Sequence, residues 1–298
     1  MENIPEIGGL IFKGKWPFKS PKCLSLSPLL FALFMFSSCH YQVIDTTNFR
    51  PSFRSHLARL TVKYYLAPAY SGRSTVNETR QALRKISRLA WLPWGTKVKE
   101  VQMAGVNGEL VRSSIVSNKS EKIILYLHGG GFFSGSSATH RELAARISKA
   151  SGIPVLVPDY RLAPEHTYPA ANEDCLKVYR WLLRNGYSPC DIVIGGDSAG
   201  GCLTLMTLLS VRDAGEPMPA AAFLLSPLTD AVQFDGESMK TRANMDPWFQ
   251  PEALAKHIEH YIGDIEPVPA ILSPARQNLA GLPPMLIQVG EEEILLSD

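Results

Sequence analysis

Short apolar runs punctuate most of the chain, and the stretches between them carry helical spacing. From Lys122 onward the runs are KIILYLHG, PVLVPDY, DIVIGGDS, AAAFLLSPL and PMLIQVG. Each is too short for a helix, rich in β-branched or aliphatic residues and bounded by turn residues, so each reads as a buried strand. Helices are expected over 139–151, 171–185 and 199–214. Strands alternating with helices in this way imply a mostly parallel sheet covered on both faces. Upstream, VNETRQALRKISRLAWL places Leu83, Ile86, Leu89 and Ala90 on one helical face, with Asn77 as the N-cap and Pro93 closing the segment. KVKEVQM and GELVRSSIV then alternate as two strands around AGVNG, a hairpin. The rhythm breaks between Asp230 and Asp264, where MDPWFQPEALAKHIEHYIG reads as a helix-bearing insertion with exposed aromatics, placed to sit over the strand ends as part of a lid. After the last apolar run comes EEEILLSD, read as an acidic turn and the first turn of a helix, with Ile294, Leu295 and Leu296 entering a core.

The first 40 residues follow another logic. Lys13, Lys15, Lys19 and Lys22 precede LSLSPLLFALFMF and then SSCH. A basic region, an apolar stretch short of the ~20 residues a spanning helix needs, and small residues at a cleavage point make a secretory signal. FSSC also resembles a bacterial lipobox with Cys39 as the lipidated residue. The expectation is export, to the periplasm or to a membrane held through the N-terminus.

Composition narrows the classes. The 298 residues are 45% hydrophobic and 19% charged, an ordinary globular balance able to bury a large core. A formal net charge of +2 is too near neutral to suggest nucleic acid. Five cysteines, at 23, 39, 175, 190 and 202, have no metal-ligand spacing and an odd count, so neither a metal site nor a disulfide framework is expected. Cys175, Cys190 and Cys202 read as core residues. No internal repeat is visible.

Two glycine-rich stretches carry the chemistry. GGDSAGG at 195–201 contains G-x-S-x-G as Gly196, Asp197, Ser198, Ala199 and Gly200, after a buried strand and before a helix. A nucleophilic serine on a sharp strand-to-helix turn needs glycine two residues to either side. A plain glycine-rich βα turn is the bland alternative. HGGGF at 128–132 follows another buried strand. Its glycines let backbone N–H groups turn inward on an oxyanion, with Gly130, Gly131 and, after the serine, Ala199 as donors. A phosphate loop is disfavoured because no Lys-Ser/Thr follows at the required spacing. Asp197 reads as a turn-stabilising acceptor, and His128 as structural in its loop.

HGGG and GDSAGG in this order resemble the hormone-sensitive-lipase-like family of α/β-hydrolases. DYRLAPEHTYPAA at 159–171, SPLTD at 226–230, DPWF at 246–249 and the segment from Ser273 to Asp298 are similar to that family's counterparts. The resemblance implies a carboxylic ester hydrolase, esterase- or lipase-like, acting on small acyl esters without metal or cofactor. It implies residues 40–95 as a helical cap and 96–298 as the hydrolase core, with a cap insertion at about 231–264. Asp159, Arg161 and Glu165 read as an ion-pair network pinning a proline-rich loop.

The triad of such enzymes runs Ser, then acid, then His. Ser198 is the candidate nucleophile. Among Glu291, Glu292, Glu293 and Asp298, Glu293 matches the acid position, and an acidic helix start is the alternative. All seven histidines (40, 56, 128, 140, 166, 257 and 260) precede it. His257 and His260 fall in the insertion, away from the expected base position. The expected last strand, histidine loop and final helix are absent from the sequence, which reads as a C-terminally truncated hydrolase with little or no activity. The alternative is a non-catalytic small-ligand-binding protein on the same fold, as in the plant gibberellin receptors, which lack the catalytic histidine.

Overall fold

The computed structural model describes residues 53–117 and 120–298; the expected leader and Cys39 lie outside the described residues. Among the described residues seven strands make one sheet: β1 (Lys97–Met103), β2 (Val106–Arg112), β3 (Ile123–Leu127), β4 (Val155–Pro158), β5 (Ile192–Asp197), β6 (Ala221–Leu225) and β7 (Met285–Gln288). They lie in the order β1-β2-β4-β3-β5-β6-β7. β2 runs antiparallel to both β1 and β4, and every other pairing is parallel. The β1–β2 turn is two residues, Ala104 and Gly105, both with positive φ, as a tight hairpin requires. Val106 and Asn107, expected in the turn, belong to β2.

The helices α1 (Phe53–Thr61), α2 (Val76–Ser87), α3 (Ser137–Ser151), α4 (Ala170–Arg184), α5 (Ala199–Asp213), α6 (Glu237–Thr241) and α7 (Pro251–Ile262) supply the other layers. Strand side chains alternate between two cores. Ile123, Leu125, Leu127 and Ile194 pack with α4 and α5, while Ile124, Tyr126, Val155 and Val193 pack with α3. α5 is apolar nearly all round and almost wholly buried. Its polar residues turn back on their own helix: Thr204 Oγ1 donates to the Gly200 carbonyl at 2.8 Å and Thr207 Oγ1 to Leu203 at 2.7 Å.

Several local expectations are corrected. The N-cap of α2 is Thr75, not Asn77. Glu78 N donates to Thr75 Oγ1 at 3.3 Å and Thr75 N to Glu78 Oε2 at 2.8 Å, a reciprocal capping box. α2 ends at Ser87, so Leu89 and Ala90 leave its buried face and are exposed. Cys190 is exposed, unlike buried Cys175 and Cys202. Trp248 and Phe249 of the insertion are half-buried, each set edge-on to buried Tyr70 with ring centroids 5.9 and 5.6 Å away. Residues 291–298 form successive turns rather than a helix. Ile294 and Leu295 are buried, but Leu296 is 40% exposed.

α1 runs into a π-helical turn, Val62–Leu66, and a 3-10 turn, Ala67–Tyr70, before α2. Arg80 of α2 ties this segment to the core. Its Nε donates to the Phe133 carbonyl at 2.7 Å, and its Nη2 donates to the Ala163 carbonyl at 2.8 Å and to Glu165 at 2.7 Å. The 159–165 cluster is therefore not paired within itself. Arg161 pairs with Glu173 and Asp174 of α4, and Asp159 accepts from the backbone and hydroxyl of Ser137 at the start of α3.

Candidate active site

The parallel part of the sheet grows outward in both directions from β3 and β5, which lie side by side with Leu127 opposite Gly196. The connections leaving adjacent strands at such a switch diverge and open a crevice at the carboxyl ends. HGGGF leaves β3 there, and Ser198 leaves β5.

Ser198 sits at φ 51°, ψ −121°, strained for a residue with a Cβ, at the mouth of α5. The strain is held by backbone pairing on both sides. Ser198 N donates to Leu225 O at 3.0 Å, and Ser198 O accepts from Gly201 N at 2.9 Å and Leu228 N at 3.1 Å. The turn brings α5 hard against β3. A Cβ on Gly200 would fall 2.0 Å from the Leu127 carbonyl oxygen, and one on Gly196 would fall 2.5 Å from it. Glycine is thus required by a close backbone approach.

The HGGGF loop is equally constrained, with Gly130 at φ 120° and Gly131 at φ 62°. Gly130 O accepts from Ser134 N at 2.9 Å, and Gly129 N donates to Asp197 Oδ1 at 3.0 Å. Among the described residues, the amides of Gly130, Gly131 and Ala199 make none of the backbone hydrogen bonds that close the surrounding turns.

A pocket of about 360 Å³ opens here, and Ser198, Gly130 and Glu293 line it together. Gly131 and buried Ala199 flank these positions without lining the pocket. Its apolar wall includes Tyr70, Leu83, Trp248 and Phe249, drawn from the N-terminal segment and the insertion. Glu293 is half-buried. Its Oε1 accepts from Ser226 Oγ at 2.8 Å and Gly290 N at 2.9 Å. Burial pushes its carboxyl above the usual range, more than these two hydrogen bonds lower it. Glu292 points elsewhere and pairs with Arg59, and Asp298 Oδ2 accepts from Thr229 N at 2.6 Å.

Asp197 does more than stabilise a turn. Oδ1 accepts from Tyr126 Oη at 2.7 Å and from Gly129 N, while Oδ2 faces His140 Nε2 at 3.5 Å. It thereby joins β3, the HGGGF loop, β5 and α3. Burial disfavours charge on both groups, yet the pairing prevails: His140 is raised and Asp197 lowered. Sequence reasoning gave His140 no role, because nothing in THREL shows that it faces Asp197. Ser226 was seen only within SPLTD. Two further histidines, His128 and His257, are committed elsewhere. His128 is buried, its Nδ1 lies 2.9 Å from Gly129 O and its ring stacks on Tyr160, with burial driving its pKa down to about 3. His257 Nε2 donates to the Tyr70 carbonyl at 3.0 Å.

A parallel sheet between helices, a serine on a strained strand-to-helix elbow and a glycine loop beside it make the layout of an α/β-hydrolase. Residues 124–298 match the family model described as alpha/beta hydrolase fold. An esterase of Acinetobacter venetianus is 38% identical over 223 residues, covering 74% of this chain and 72% of that one. An acetyl-hydrolase of Streptomyces hygroscopicus is 42% identical over 177 residues, 59% of each chain. Among solved structures, an esterase from the bacterial hormone-sensitive lipase family has a TM-score of 0.72 at 38% identity, covering 78% of this chain and 80% of that one. The chain belongs to the hormone-sensitive-lipase-like family of α/β-hydrolases, and it is a carboxylesterase-type hydrolase.

Proposed function

We propose that Ser198 is the nucleophile of a carboxylic ester hydrolase working through an acyl-enzyme. Its hydroxyl attacks the acyl carbonyl, and the amides of Gly130, Gly131 and Ala199 receive the developing oxyanion. The alcohol leaves with the proton, and water then releases the acid. Glu293 is the acid member of the triad, orienting an imidazole and stabilising its charge. The observation that carries this reading is the strained elbow at Ser198, opening into a pocket that Gly130 and Glu293 share. Residues 53–95 and 231–264 act as the cap, since Tyr70, Leu83, Trp248 and Phe249 form the pocket's apolar wall and favour a small or medium acyl group.

No histidine follows Glu293 in this sequence. His140 shares the pocket with Ser198, but its Nε2 faces Asp197 at 3.5 Å and its Nδ1 lies 3.0 Å from Thr139 Oγ1, so both ring nitrogens already have partners. The 298-residue chain is therefore expected to turn over p-nitrophenyl acetate only slightly above background, with added imidazole restoring part of the rate. Restoration should disappear in Ser198→Ala. Full turnover surviving Ser198→Ala would sink the assignment. A non-catalytic small-ligand-binding role is the second reading, favoured by the commitment of His257 to Tyr70. It predicts saturable binding of an intact ester with no rescue by imidazole. Export through residues 1–39, with Cys39 lipidated, belongs to the same proposal, and mass spectrometry of the mature N-terminus tests it.

A further inference from the structure

The chain's charge is segregated along its length. Residues 53–99 hold ten Lys and Arg against a single acid, Glu78, whereas residues 100–298 hold 15 Lys and Arg against 24 Asp and Glu. The near-neutral total thus conceals a strongly basic segment joined to an acidic body. Among the described residues, Arg59 pairs with Glu292 and Arg80 with Glu165 of that body. Lys63, Arg84, Lys85, Arg88, Lys97 and Lys99 are exposed.

The same segment exposes large apolar side chains. On α1 and its continuation, Phe53, Leu57, Leu60 and Tyr64 are 83%, 56%, 50% and 64% exposed. Spacings of four, three and four residues put them on one stripe of the helix. The inner side of the element is different: Arg59 and Val62 line the Ser198 pocket, and Leu66 is buried. α1 therefore has a pocket-facing edge and an outward apolar stripe. Further along the segment, Trp91 and Trp94 are 88% and 93% exposed. Exposed aromatic and aliphatic side chains among many cations, on a helix with an apolar stripe, are the composition of an interfacial element. Apolar side chains enter the acyl boundary, Trp and Tyr favour the headgroup level, and Lys and Arg meet anionic headgroups. Charge decides the occupant. A second copy would bring another basic segment against this one, whereas an anionic bilayer complements it.

We infer that the α1 stripe is a lipid-docking face that seats the mouth of the Ser198 pocket on an anionic bilayer. The substrate class that follows is acyl esters presented at a lipid surface; this clause rests on the esterase reading, whereas docking does not.

The test is co-sedimentation of the full 298-residue chain with vesicles of phosphatidylcholine alone or with about 30% phosphatidylglycerol, at about 50 mM and about 500 mM salt. The expected result is binding to the anionic vesicles that weakens at high salt. Replacing Phe53, Leu57 and Leu60 together by serine should lower partition about tenfold, and Lys63→Glu a few-fold, with the circular dichroism spectrum unchanged. Equal partition of the serine variant and the parent would overturn the inference, because residues 1–52 would then carry the binding. Loss of a dimer in the serine variant with unchanged partition would overturn it in favour of a contact between copies. Ser198→Ala should partition as the parent does, so vesicle binding fails or succeeds independently of the hydrolytic reading.

Discussion

Asp197 and His140 face each other at 3.5 Å across the gap between β5 and α3, one residue before the strained Ser198. The other carboxylate oxygen of Asp197 holds Tyr126 and the amide of Gly129, so one side chain fixes the root of the glycine loop relative to the serine elbow. Asp197→Asn retains an oxygen for those two donors and removes the charge opposite His140. The cost should depend on pH. The raised pKa of His140 means that its contribution is present below its unfolded value and lost as pH rises through the folded one. The lowered pKa of Asp197 means that its contribution is present above its unfolded value and lost as pH falls through the folded one. Both are in force between about pH 4 and about pH 6.5. Urea denaturation should show Asp197→Asn costing about 1–3 kcal/mol in that window and clearly less near pH 9. A cost flat across pH would refute the pairing.

Glycines in this chain serve different ends, and alanine substitution should separate them. Gly152 ends α3 at φ 72°, and a Cβ added there would meet nothing within 4 Å, so Gly152→Ala costs only the left-handed backbone, about 1 kcal/mol. Gly200→Ala would drive a Cβ to 2.0 Å from the Leu127 carbonyl, in backbone that cannot yield without parting α5 from β3. A loss above about 4 kcal/mol, or an insoluble product, is expected there. Thermal melts of the two variants side by side provide the check, and comparable losses would mean that the approach at Gly200 is not tight.

Where the fold was legible in sequence, one local signal governed it. IILYL and IVIGGD read as buried strands because both faces of the sheet are covered, and the glycines around Ser198 announced a turn that only glycine permits. Misreadings arose where distant partners decide. EEEILLSD has helix-forming residues, but its backbone is claimed by the insertion: Ile294 N donates to Asp246 Oδ2 at 2.9 Å, and the Ile294 carbonyl accepts from Ser238 Oγ at 2.5 Å. Those bonds replace the helical ladder. Asp159, Arg161 and Glu165 read as one ion-pair network because they are clustered in sequence, yet α4 and α2 supply the counter-charges of Arg161 and Glu165. The Asp197–His140 contact spans 57 positions in the chain, and no periodicity encodes it.

Arg80 should matter more for its backbone contacts than for its ion pair. Its Nε and Nη2 donate to the carbonyls of Phe133 and Ala163, beside the HGGGF loop and within the 159–165 loop. Glu165 is 55% exposed, so the charge pair itself is screened and worth less than about 1 kcal/mol. Glu165→Gln is expected to be nearly silent, while Arg80→Met should cost about 2–3 kcal/mol by stranding two carbonyls. Limited proteolysis within residues 53–87 should accelerate in Arg80→Met alone. Equal effects of the two substitutions would assign the anchoring to the ion pair instead.

Glu293 offers a test in which stability and chemistry move in opposite directions. Burial raises its carboxyl pKa, and the Asp246 carboxylate adds to the shift. A raised carboxyl pKa favours the folded state when the group is neutral, and that advantage is lost as pH rises through the folded value. Near pH 8 the folded protein therefore carries a half-buried charge that it would be better without. Glu293→Gln keeps an oxygen to accept from Ser226 Oγ and Gly290 N and removes the charge. The variant should melt higher than the parent near pH 8 and show no advantage near pH 4. Its imidazole-restored turnover should fall about tenfold or more, because a neutral amide stabilises an imidazolium poorly. A group placed only for structure would leave the restored rate unchanged. Higher stability with lower turnover is the signature of a carboxylate retained for chemistry against the interest of the fold.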